Sequence, residues 1–73
     1  MTIGEKIKEL RETKGISQNE LAGIIGVNHS NVCHWEKGRC DPNLFSCILL
    51  ADIFNISLDE LACRDFKGEK QND

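Results

Sequence analysis

The chain is 73 residues long, 40% hydrophobic and 29% charged, and its nine Lys and Arg against twelve Asp and Glu leave a formal net charge of −3. One domain fits that length, with a core that covers only about 60% of the unfolded chain's surface, and no apolar run approaches the eighteen or so residues of a membrane span. The acidic balance argues against nucleic acid held by a basic surface.

Thr2 followed three residues later by Glu5 has the spacing of a capping box, in which each side chain bonds the other residue's backbone N–H at a helix start. Ile3, Ile7 and Leu10 then share one helical face until Gly15 stops it, so a first helix is predicted over 3–14. Ser17 and Glu20 repeat the capping pattern and open a second helix over 18–25. Ala22 is too small to hold a crossing helix away, and Gly26, four residues on, can take the positive φ of a sharp helix exit. That pair permits a steep crossing through a short turn, the construction of a helix-turn-helix.

Asn28 is a good N-cap for a third helix that ends near Lys37, with Gly38 as its stop. After a loop from Arg39 to Pro42, the dense apolar segment 44–54 predicts a fourth helix ended by a left-handed Asn55. Ser57 and Glu60 form a third capping pattern, giving a short fifth helix from Leu58 to about Cys63. The polar tail 67–73 lacks periodicity and is expected to fray, so the domain is assigned to 1–66. The expected fold is all-α, with five helices.

Projected at about 100° per residue, the third helix turns Val32 and Trp35 inward and Ser30, Cys33, His34 and Lys37 outward, with His29 at its first turn. Ser and His side chains both donate and accept hydrogen bonds, and a major groove is wide enough to admit one helix. Gln18, Asn28 and the free backbone N–H groups at the starts of helices two and three are expected to converge on phosphates, which requires no large basic excess. Glu36 starts beside Val32 and needs a partner. Arg11 flanks the apolar stripe of the first helix in the same way, so an Arg11–Glu36 ion pair is expected, with spare guanidinium N–H groups toward a phosphate.

IGEKIKELRETKGISQNELAGIIGV, HWEKG and DPNLFSCILLADIFNISLDEL together resemble the lambda-repressor-like, Cro/cI-type helix-turn-helix regulators of the XRE family. The resemblance runs from about Ile3 to Leu61. It implies a homodimer on symmetric double-stranded operator DNA, with helices two and three as the reading pair. It further implies that Gln18 binds phosphate or the outermost base and that His29, Ser30 and His34 read bases, with Cys33 on the same face. Arg11, Asn28, Asn31 and Lys37 then touch or support the DNA backbone. Histidines stand at 29 and 34 where such regulators often carry Arg, Lys or Gln, so fewer fixed charges meet DNA and nonspecific affinity is expected to be weaker.

If Leu44, Cys47, Ile48 and Ala51 of the fourth helix face inward, Phe45 and Leu49 are left on its outer flank. Exposed apolar stripes mark contacts with another chain, and the resemblance implies a dimer formed near the fourth helix, the loop 55–57 and the fifth helix, so Phe45, Leu49 and Leu58 are assigned to a homodimer interface. No CxxC or HxxxH spacing supports a metal site, and no cofactor is expected. Cys47 and Cys63 are expected to be buried, and Cys33 and Cys40 exposed. Without a signal-peptide pattern the expected compartment is the cytoplasm. No nucleophile arrangement or Gly-rich phosphate loop points to an enzyme. The expected function is sequence-specific transcriptional regulation, as a repressor. The alternative is an antitoxin-like or partner-regulated module whose fourth and fifth helices bind a protein antagonist or effector.

Overall fold

The computed structural model describes residues 1–63, where five helices follow one another with no strand: α1 Ile3–Lys14, α2 Gln18–Ile25, α3 His29–Glu36, α4 Leu44–Phe54 and α5 Leu58–Leu61. The expected tail 67–73, and the last residues of the assigned domain, lie outside the described residues.

Local chemistry sets the helix ends. Both capping boxes at Thr2/Glu5 and Ser17/Glu20 are complete, with the side chains at 2.7–3.1 Å from the backbone nitrogens they accept from. At Ser57 only half of the box forms: its hydroxyl accepts from Glu60 N at 3.0 Å, and α5 closes at Leu61, two residues short of the predicted end. Asn28 takes the extended N-cap conformation of α3 but makes no side-chain cap bond. Asn55 ends α4 in the left-handed region at φ 56°.

Each helix sends one aliphatic side chain to full burial: Ile7, Leu21, Val32, Leu50 and Leu61. Around this centre sit Ala22, Ile25, Trp35 and Ala51. Gly26, at φ 79°, ends α2, and the Gly26 and Val27 N–H groups both donate to the Ala22 carbonyl, at 2.9 and 3.0 Å. Three residues therefore suffice to turn α2 into α3. On the other side of α3, α1 approaches so closely that a Cβ on Gly4 would overlap the Trp35 carbonyl oxygen.

The inward face of α4 differs from the expected one. Ser46, Leu50 and Ala51 are buried and Cys47 is half-buried, whereas Leu44 and Ile48, expected inside, are 69% and 40% exposed. The helix is turned by about one residue, roughly 100°. Its run LFSCILLADIF is apolar nearly all round, so hydrophobicity cannot choose the phase. Burial of small Ser46 and Ala51 instead lets the helix sit close to the core. Three cysteine expectations also change: Cys47 and Cys63, expected buried, and Cys33, expected exposed, are all half-buried.

Candidate nucleic-acid interface

Helix α3 is short and amphipathic, and with Val32 and Trp35 anchored in the core most of its other residues face outward, Glu36 excepted. His29, Ser30, Asn31, His34 and Lys37 are exposed, as is Asn28 just ahead of them, and Cys33 is half-buried at the edge of the face. The first N–H groups of α3 have no side-chain cap. Oriented N–H donors and the positive end of the helix dipole therefore lie beside Ser30 and Asn31, a setting that favours an anion.

Behind this face runs a polar network. Arg11 Nε donates to Glu36 Oε2 at 2.7 Å and Arg11 Nη2 to Glu36 Oε1 at 3.2 Å, a two-pronged pair with only 12% and 4% of the side chains exposed. Arg11 Nη1 donates to the Ile16 carbonyl at 2.8 Å, which ties the turn between α1 and α2 to the same guanidinium. The hydrogen bond to Glu36 raises the Arg11 pKa against the opposing effect of burial, with further help from the charges of Glu36 and Glu12. Three of five guanidinium donors are thus committed within the protein, and Glu12 lies 4.0 Å from Nη2, which leaves Arg11 little to offer a phosphate.

Gln18 extends the network. Its Nε2 donates to Glu36 Oε1 at 3.0 Å, and its Oε1 lies 3.0 Å from His29 Nε2. Neither contact was expected from sequence. Gln18 and Glu36 are eighteen residues apart, and only the packing of α2 against α3 brings them together. Phe45 and Leu58, on α4 and α5, are 69% and 41% exposed and Leu49 is half-buried, while Leu44 and Ile48 widen the apolar surface in a way the assumed helix phase had hidden.

Charge is unevenly spread along the described residues. Residues 29–40 carry Lys37, Arg39 and an already paired Glu36, whereas 44–63 carry Asp52, Asp59 and Glu60 and no Lys or Arg. The net acidity therefore does not describe the α3 face.

Two helices joined by a three-residue turn, the second presenting a polar face with an open N-terminus, define a helix-turn-helix. The chain belongs to the helix-turn-helix family, whose model matches residues 7–61. It is 29% identical over 70 residues to the HTH-type transcriptional regulator ImmR of Bacillus subtilis (strain 168), covering 96% of this chain and 55% of ImmR. It is 33% identical over 61 residues to the HTH-type transcriptional activator BcrR of Enterococcus faecalis, covering 84% of this chain and 30% of BcrR. The chain thus spans about half, or less, of the length of these relatives. Its fold is similar to that of the P22 c2 repressor crystallised with a synthetic operator, with a TM-score of 0.83 and 28% identity over 89% of this chain and 98% of that one.

Proposed function

We propose that this chain binds double-stranded DNA sequence-specifically as a transcriptional regulator, a repressor, with α3 in the major groove. The observation that carries this reading is the exposed polar face of α3 beside its uncapped N-terminus. His29, Ser30, Cys33 and His34 read base edges, while Asn28, Asn31, Lys37 and the free N–H groups contact phosphates. Gln18 retains one N–H for a phosphate or the outermost base. Membership of the helix-turn-helix family and likeness to an operator-bound repressor support the reading. A regulator of this kind acts where the chromosome is, in the cytoplasm, and performs no catalysis.

Two copies acting together would meet through Phe45, Leu49 and Leu58, with exposed Leu44 and Ile48 extending the contact. Selection of bound sequences from random duplexes at low salt tests this function. A symmetric motif with half-site centres about 34 Å apart is expected, altered at one base pair by His34→Ala; recovery of no motif would sink the proposal.

A second reading rests on the charge of α4 and α5. Their apolar surface carries carboxylates and no cations, which fits a basic protein partner in the manner of an antitoxin. Co-purification of a second, basic polypeptide that dissociates at high salt would favour it over the homodimer.

A further inference from the structure

The network behind α3 has a direction, set by which atoms can only accept. Glu36 is ionised against Arg11, so its oxygens accept and do not donate. The Gln18 atom that faces Glu36 Oε1 at 3.0 Å is therefore the amide nitrogen. The amide is planar, so its oxygen is the atom turned to His29, 3.0 Å from Nε2. An amide oxygen only accepts, so His29 Nε2 has to carry the proton. In the neutral ring, Nδ1 is then a bare lone pair.

We propose that the Arg11–Glu36–Gln18 relay locks His29 in the Nε2–H tautomer and makes it a reader of a base that offers a hydrogen-bond donor. The proposal rests on the DNA-binding reading above. In the major groove the donors are adenine N6 and cytosine N4, whereas guanine presents the acceptors N7 and O6 and thymine the acceptor O4. An unrestrained imidazole can take either tautomer and serves both kinds of edge. The locked ring serves one. Gln18 is then a positioning residue for His29, and the buried ion pair reaches the specificity of the exposed face through it.

The test uses the whole chain at pH 8, above the range in which imidazoles ordinarily protonate. Long-range nitrogen–proton NMR spectra distinguish the protonated from the bare ring nitrogen. In the wild type His29 is expected to show Nε2 protonated and Nδ1 bare. Gln18→Met keeps the side chain's length and removes both hydrogen bonds, and should return His29 to a mixture of tautomers while His34, on the same helix, keeps its spectrum. Selection from random duplexes should enrich one base pair per half-site that His29→Ala releases, its preference should depend on the exocyclic amino group of that pair's adenine or cytosine, and Gln18→Met should lower it by about tenfold or more.

A mixed or Nδ1-protonated His29 in the wild type overturns the lock, as does a tautomer that Gln18→Met leaves unchanged. Binding that is unchanged when the adenine or cytosine of the His29-dependent base pair, identified with His29→Ala, lacks its exocyclic amino group overturns the assignment of the base. A locked tautomer with no selected sequence overturns the DNA-binding reading and the base assignment with it, while the relay itself stands.

Discussion

Glu36 is the residue on which most of the site depends, because one carboxylate with 4% of its side chain exposed accepts from both Arg11 and Gln18. Removing it strands a guanidinium that has 12% of its side chain exposed. Breaking a buried pair from one side is more damaging than replacing both partners with apolar groups. Glu36→Ala is therefore expected to lose about 3 kcal/mol of stability in urea unfolding, with the double variant Arg11→Met, Glu36→Leu recovering most of the loss. Equal losses in the single and double variants would show that the pair is not what holds the helices. The raised pKa of Arg11 fixes the sign of the pH effect. A cation whose folded pKa is raised contributes fully below its unfolded value and is lost only as pH rises through the folded one, which for arginine is far above neutrality. This contribution should therefore be flat from neutrality to about pH 11. Arg11 and Glu36 were legible in sequence because each flanks an apolar stripe. The Gln18–His29 contact was not, since its donor pattern depends on a crossing geometry that no local spacing encodes.

Among the elements, α1 and α3 are held at a separation that only glycine permits. A methyl on Gly4 meets backbone at Trp35, not a flexible side-chain tip, so the helices themselves would have to move. Gly4→Ala gains helix propensity, worth at most about 1 kcal/mol, but overpacking typically costs about 1–3 kcal/mol. Net destabilisation is expected, read as a lower urea midpoint with an unchanged m-value; a higher midpoint would mean that α1 slides at little cost. The helix boundaries were largely legible because caps and left-handed stops are local, as at Thr2, Ser17, Gly26 and Asn55. The face of α4 was not, because a helix apolar nearly all round contains no phase. Its actual phase leaves Cys47 half-buried, and burial raises its thiol pKa, with a further push from Asp41. Thiolate is the reactive form. Alkylation at pH 8 followed by mass spectrometry should therefore modify exposed Cys40 well before Cys47, and equal rates would mean that α4 opens readily.

For the whole molecule, the separation of charge gives salt two opposite effects. On the proposed reading, the exposed Lys37 and Arg39 beside α3 neutralise phosphates, so DNA affinity should fall as salt rises. The apolar surface of α4 and α5 shares its helices with Asp52, Asp59 and Glu60, and 44–63 carry no Lys or Arg, so apposing these helices of two copies brings like charges together. Raising salt from about 0.05 to 0.5 M shortens the Debye length severalfold and should tighten self-association while loosening DNA contacts. Sedimentation of the free chain is expected to show more dimer at the higher salt, and Phe45→Lys, which puts a charge on the apolar surface, should leave a monomer that folds normally. Operator binding by the dimer should then fall less steeply with salt than that of the monomeric variant, because part of the lost phosphate attraction is offset by stronger association. A dimer that dissociates as salt rises would place ionic contacts, not apolar ones, at the interface. That outcome would transfer the exposed surface of α4 and α5 to a basic partner of different sequence.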